Sequence, residues 1–97
     1  MQKIGRLSEF RDGTITKVNE DIVIVRDGAS IHAFAAYCPH AGAPLEEGGI
    51  CNHRLICPWH AWEWNCTTGE NDMDPTKKVA TYEVKIEGSD IFLNLPA

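Results

Sequence analysis

The chain has 97 residues, of which 43% are hydrophobic and 24% are charged, and its formal net charge is −5. This length and this balance indicate one globular domain and argue against disorder. An acidic chain without Lys/Arg clusters is not expected to bind nucleic acid or anionic lipid.

The first third of the chain predicts an antiparallel β-meander. Residues 3–10 read as a strand-like lead-in, and residues 13–18 are rich in threonine and β-branched side chains. The apolar run 21–26 is bounded by charges, which predicts a strand buried on both faces. Asp-Gly at 27–28 is a hairpin signal, so a further strand is expected over residues 30–37.

The middle of the chain predicts a second hairpin followed by a loop. Residues 50–57 read as a tight hairpin with Asn52 and His53 at its tip, and residues 62–64 alternate as a half-buried strand does. The polar stretch 70–77 shows no periodicity and is predicted to be a loop.

The C-terminal segment predicts a terminal hairpin. Residues 81–87 alternate with a period of two, in which Tyr82, Val84 and Ile86 alternate with polar or charged residues. A Gly-Ser turn then leads into the apolar residues 91–95. No window of the sequence shows a helical stripe, so the predicted class is all-β.

Two short proline-containing segments carry the ligand-type residues. Cys38 and His40 lie in the segment Cys-Pro-His-Ala-Gly-Ala-Pro-Leu, and Cys57 and His60 lie in Cys-Pro-Trp-His, with 16 residues between His40 and Cys57. Such residues can cluster by chance, but the paired spacing in both segments favours one shared metal centre.

The ligand types allow two kinds of centre. A closed Cys2His2 site suits structural zinc, although zinc fingers usually place their second pair as two histidines on a helix. Here each segment offers one Cys and one His, as a two-iron cluster requires when one iron takes both sulfurs and the other both nitrogens. A zinc-stabilised binding module is the alternative from a different functional class.

Together with the Thr-Gly-Glu run at 68–70, the two motifs make the chain resemble the soluble bacterial Rieske ferredoxins over essentially its whole length. The resemblance implies a single Rieske domain over residues 1–97. In that fold a small antiparallel β-sandwich or barrel base carries an inserted cluster-binding subdomain, here at about residues 37–75. The resemblance also implies one Rieske-type 2Fe-2S cluster per chain, held by Cys38, His40, Cys57 and His60.

The function implied by the resemblance is one-electron transfer. The chain would be a carrier and not an enzyme, taking electrons from a flavoprotein ferredoxin reductase and passing them to a terminal ring-hydroxylating Rieske oxygenase. The alternative within the family is the small Rieske-like subunit of an assimilatory nitrite reductase. The sequence carries no Gly-rich nucleotide loop and no paired-carboxylate signature, which agrees with a carrier.

The resemblance also bears on the reduction potential. High-potential relatives tie their ligand loops with a disulfide and donate a serine hydroxyl to a cluster sulfur, and the corresponding positions here are Ala43, Trp59 and Trp62. We therefore expect a potential near the low end of the Rieske range, about −150 mV. Ala61 stands where the ferredoxins usually have glycine, which is a departure close to a ligand.

The remaining expectations concern the surroundings of the site and the cellular setting. The sequence has no apolar run of membrane-spanning length, and its first residues lack the apolar core of a signal peptide, so we expect a monomeric cytoplasmic protein. Cys51 and Cys66 are predicted to be free thiols rather than a disulfide. By resemblance, the region around Pro75 shields the cluster. An acidic rim that could help docking consists of Glu46, Glu47, Glu63, Asp72 and Asp74.

Overall fold

The structure is a computed structural model that describes residues 1–38, 42–58, 62–74 and 76–94. Over these residues the chain is all-β, which confirms the predicted class. The strands are β1 (Gln2–Arg6), β2 (Ile15–Lys17), β3 (Ile22–Asp27), β4 (Ser30–Ala35), β5 (Gly49–Cys51), β6 (Arg54–Ile56), β7 (Glu63–Asn65), β8 (Thr81–Tyr82), β9 (Val84–Glu87) and β10 (Asp90–Leu93).

The strands form three antiparallel sheets. One sheet has the order β1-β10-β9, the second β2-β3-β4-β8, and the third β5-β6-β7. The first two sheets use both ends of the chain, whereas the third is built from residues 49–65 alone. This separation agrees with a base that carries an insertion, and the subdomain limits of about 37–75 stay a prediction.

Strand β3 is buried on both faces, as its uninterrupted apolar run predicts. Val23 and Val25 pack into one core, which we call the ligand-side core, and Ile22 and Ile24 pack into another, which we call the opposite core. The ligand-side core consists of Val23, Val25, Phe34, Ala36, Cys38, Ala43, Leu45, Leu55, Cys57, Trp64, Cys66 and Val79. The opposite core consists of Phe10, Ile22, Ile24, Ile31, Ala33, Ile91 and Leu93.

The predicted hairpins are present, and their turns show why these residues make them. Gly28 has φ +62°, which glycine adopts at no steric cost, and it joins β3 to β4. Asn52 and His53 have φ +50° and +62°, the left-handed pair that a two-residue turn between β5 and β6 requires.

The predicted strand 81–87 is divided in two. It is interrupted at Glu83, and β8 pairs with β4 whereas β9 pairs with β10. Ile86 is 39% exposed, so the apolar positions of this alternation are not all buried. In the described residues β9 is an edge strand that pairs only with β10.

Helical structure in the described residues is limited to two 3-10 turns. They cover Leu7–Glu9 and Leu45–Glu47, and the second begins at the last residue of the first ligand segment. The parts of the chain that the structure describes therefore contain no helix with the length and hydrophobicity of a membrane span.

Candidate metal centre

Both predicted cysteine ligands are buried in the ligand-side core. Cys38 and Cys57 are each 1% exposed, and each opens one of the two ligand segments. Cys57 follows β6 directly, and Cys38 lies three residues after β4. Two strands of different sheets thus bring two thiols into the same apolar interior.

The first ligand segment is closed at its base by backbone contacts. Tyr37 and Pro44 form an antiparallel bridge, and the Cys38 N–H donates to the Ala43 carbonyl at 2.8 Å. The Gly42 N–H donates to the Cys38 carbonyl at 2.7 Å, and Gly42 has φ +72°. These contacts hold Cys38 close to residues 42–44, so the two described ends of the segment are joined.

The second ligand segment is closed in the same way. Strands β6 and β7 pair Ile56 with Glu63, and the Cys57 N–H continues the ladder by donating to the Trp62 carbonyl at 2.9 Å. The Cys57–Trp62 bond therefore extends the β6–β7 hairpin by one residue beyond each strand. Each loop thus starts with a buried cysteine held by its own backbone.

The predicted histidine ligands, His40 and His60, lie outside the described residues. Each falls within one of the two closed loops, two residues after Cys38 and three after Cys57. Within the described ranges, no group of three or more His, Cys, Asp and Glu side chains could hold a metal ion. The structure brings the cysteine pair into one core, and the full ligand set stays a prediction.

The donor set fits an iron–sulfur centre. Thiols buried in apolar surroundings resist ionisation unless a cation compensates the charge, which a metal does by direct ligation. Two such thiols at the bases of neighbouring loops, each followed by an imidazole in sequence, offer the sulfur and nitrogen donors that a Rieske cluster takes.

An aromatic ring with a lysine flanks each loop, a feature that sequence reasoning missed. Lys17 donates to the Tyr37 hydroxyl at 3.1 Å, and this bond raises the pKa of Lys17. Lys77 Nζ lies 5.1 Å from the centre of the Trp62 ring, within the range of a cation–π contact. Tyr37 is 44% exposed beside Cys38, so the surface near the loops is mixed in charge and partly aromatic.

One of the five acids of the predicted rim is neutralised by a neighbouring arginine, and among the described residues the other four are not paired in this way. Both Asp72 carboxylate oxygens accept from the Arg54 Nε, at 2.8 and 2.9 Å, so this acid is paired. A hydrogen bond from the Thr76 side chain lowers the pKa of Asp74, which stays ionised. Glu46, Glu47 and Glu63 are exposed.

Asn71 accepts and donates hydrogen bonds in the polar stretch at residues 70–77, and sequence reasoning did not single it out. It is 2% exposed, and its Oδ1 accepts from the N–H groups of Met73 and Asp74 at 2.9 Å each. Its own N–H donates to the Lys77 carbonyl at 2.9 Å. An Asn inside a polar, Asp-rich stretch is a turn signal that could have indicated this role. Pro75, predicted to help shield the cluster, lies outside the described residues.

The other described thiols and histidines lie outside the two ligand segments, although Cys66 belongs to the ligand-side core. Cys51 and Cys66 are free, as predicted, with Cys51 exposed and Cys66 buried. Burial raises the pKa of the Cys66 thiol to about 11. Burial also lowers the pKa of His32. His53 Nδ1 lies 2.5 Å from an Asp27 carboxylate oxygen, which connects the β5–β6 turn to the end of β3.

Comparison with known proteins bears directly on this centre. The family model described as "Rieske [2Fe-2S] domain" matches residues 1–83. The 3-phenylpropionate/cinnamic acid dioxygenase ferredoxin subunit of Shigella boydii is 35% identical over 77 residues, covering 77% of this chain and 73% of that protein. A solved complex of reduced oxygenase and oxidized ferredoxin in carbazole 1,9a-dioxygenase contains a chain with TM-score 0.85 and 27% identity, covering 95% of this chain and 99% of that one.

Other relatives are much longer than this chain. Human apoptosis-inducing factor 3 is 34% identical over 73 residues, which are 74% of this chain but only 12% of that protein. The chain likewise spans less than a fifth of the next two curated relatives, at 11% and 18% of their lengths. The match covers the buried cysteine pair and both closed loops, and the chain therefore belongs to the Rieske 2Fe-2S domain family, homologous to the ferredoxin components of Rieske oxygenase systems.

Proposed function

We propose that this protein is a one-electron carrier with one low-potential Rieske cluster, linking a flavoprotein ferredoxin reductase to a terminal ring-hydroxylating oxygenase. The observation that carries the proposal is the burial of Cys38 and Cys57 in one core, at the bases of two closed loops. Names of relatives support the setting, since one is a dioxygenase ferredoxin subunit and another solved structure is an oxygenase–ferredoxin complex. By itself the carrier transforms no organic substrate.

The ligand assignment follows from the donor chemistry. Cys38 and Cys57 would hold one iron and His40 and His60 the other, so the two sulfur ligands would come from the buried starts of the loops. When bound, such a centre supplies a one-electron couple at the iron held by neutral imidazoles. The chain's own contribution is to keep the sulfur side dry, because both cysteines are only 1% exposed.

Docking to the redox partners would use the surface around the loops. Tyr37 and Pro44 form the rim of the first loop, and exposed Glu46 and Glu47 follow it immediately. The net charge of −5 favours partners with a basic docking patch, an effect that raises encounter rates more than affinity. We further propose that the carrier works as a monomer in the cytoplasm.

The ligand set is tested by the substitution His60→Cys. An additional thiolate stabilises the oxidised cluster, so the variant should have a lower potential or lose the cluster. His53→Cys is the matched control, because it adds a thiol at the exposed β5–β6 turn, and it should change neither. An unchanged potential in His60→Cys would remove this residue from the ligand set.

The choice of function is tested with the purified holo-protein. Dithionite-sensitive visible absorption is expected from an iron–sulfur centre, whereas a colourless, zinc-loaded, folded protein would support the zinc module instead. Electron delivery from a flavoprotein reductase to an oxygenase should fall as salt rises, because screening weakens steering. Permanent co-assembly with a nitrite reductase, without exchange between free partners, would favour the alternative role within the family.

A further inference from the structure

The indole of Trp64 carries a buried hydrogen-bond donor without an acceptor. Trp64 is 0% exposed. Among the buried side-chain nitrogen and oxygen atoms of the described residues, its Nε1 lacks a hydrogen-bond partner. A buried tryptophan N–H normally finds an acceptor, because leaving it unpaired costs free energy. Such a donor commonly marks the place of an acceptor that protein atoms do not supply.

The strand register places Trp64 beside a predicted ligand. Leu55 pairs with Trp64 across β6 and β7, and the Cys57–Trp62 hydrogen bond continues the same register. Cys57 and Trp64 are therefore diagonal neighbours on one face of the hairpin, a separation within reach of an aromatic side chain. That face is the buried one, because Leu55, Cys57 and Trp64 all belong to the ligand-side core.

Backbone carbonyls in and around β7 accept hydrogen bonds from backbone N–H groups and not from the indole. The Trp62 carbonyl accepts from the Cys57 N–H, and the Glu63 carbonyl accepts from the Asp72 N–H at 3.1 Å. The Glu70 carbonyl accepts from the Asn65 N–H at 2.8 Å. The group that the two buried cysteines would hold brings sulfur acceptors to the core that contains the indole.

We propose that the Trp64 indole N–H donates a hydrogen bond to a sulfur atom of the iron–sulfur centre and thereby raises its reduction potential. The inference rests on the proposed function, since it requires the cluster. Sulfur in such a centre gains negative charge on reduction, so a donor aimed at it favours the reduced form. Trp64 would therefore contact the cluster directly and partly compensate for the serine donor that is missing at position 62.

The test is the midpoint potential of Trp64→Phe, which keeps an aromatic ring and removes the N–H. At a fixed applied potential the ratio of reduced to oxidised protein should fall about tenfold, equivalent to about 59 mV for a one-electron couple. Phe34→Leu is the packing control, because Phe34 is 0% exposed in the same core and has no donor. The control should lose stability and keep its potential within about a twofold change in the ratio.

A second measurement covers the case in which Trp64→Phe does not fold. Wild-type protein labelled with indole-15N tryptophan should show a 15N coupling to the reduced, paramagnetic cluster, and Trp62→Phe should retain it. A cluster-loaded Trp64→Phe with unchanged potential, or a wild type without the coupling, would overturn the inference; a water molecule as the acceptor gives this result. Neither outcome affects the proposed function, which is tested separately by the presence of a cluster and by electron delivery between partners.

Discussion

Replacing Gly48 by alanine puts a methyl carbon 2.0 Å from the Ile56 carbonyl oxygen, where ordinary van der Waals contact begins at 3.4 Å. The obstructing atom belongs to the backbone and cannot rotate away, so the end of β6 must shift by more than about 1 Å. Overpacking of this kind costs about 3 kcal/mol, which lowers the melting temperature of a domain this size by about 15 °C. Because Cys57 is the next residue, the shift also moves a predicted ligand.

Gly49→Ala is the matched control for this substitution. Gly49 is the neighbouring residue, and a methyl group there meets no atom within 4 Å. Thermal unfolding and iron content per chain measure the two effects. Gly48→Ala should melt well below wild type and bind less iron, whereas Gly49→Ala should stay within about 1 kcal/mol of wild type. Equal melting temperatures and full iron in both variants would refute the reasoning.

Three further predictions follow from local geometry and from the pKa shifts. In urea unfolding, Gly69→Ala should lower the free energy of unfolding more than Gly88→Ala does. Both glycines have positive φ, but only a methyl group at Gly69 would lie 2.4 Å from a backbone carbonyl oxygen. Equal decreases in the two variants would contradict this. At about pH 8 a thiol reagent should modify exposed Cys51 rapidly and Cys66 slowly, because burial raises the pKa of Cys66 to about 11. Mass spectrometry of the labelled holo-protein would locate the reacted thiol, and rapid labelling of Cys66 would count against its burial. Burial lowers the pKa of His32 below 6.5, so the unfolded chain binds the proton more tightly than the folded chain does. The free energy of unfolding therefore decreases as the pH falls below that value. The melting temperature of His32→Gln should depend less steeply on pH between about pH 7 and pH 5, and an unchanged slope would contradict the assignment.

The parts of the fold that were predictable are those that local chemistry decides. Gly28 in its turn, and Asn52 with His53 in theirs, adopt the positive φ values that their hairpins require. The apolar run of β3 predicted burial on both faces, and the structure confirms it. The two Cys/His motifs predicted a shared metal centre, and the position of Cys38 and Cys57 in one core agrees with it. The ligation itself stays a prediction.

What sequence reasoning missed depends on partners far away in the chain. The alternation around Glu83 continues unchanged while the strand passes from one sheet to another, so its pattern cannot show the break. Lys17 and Tyr37 meet across 20 positions, and nothing in either neighbourhood predicts the contact. The orphaned donor on Trp64 is a property of packing, since it depends on which carbonyls other residues have already taken.

The double-sided burial of β3 has a consequence for how this chain can change over evolutionary time. Val23 and Val25 face the half of the interior that contains the cysteines, whereas Ile22 and Ile24 face the half closed by β10. Adjacent positions on β3 therefore pack against different sets of residues, and a substitution at one position affects only one of the two cores. The opposite core contains neither predicted cysteine ligand, so other apolar side chains of similar volume can replace its residues without moving Cys38 or Cys57.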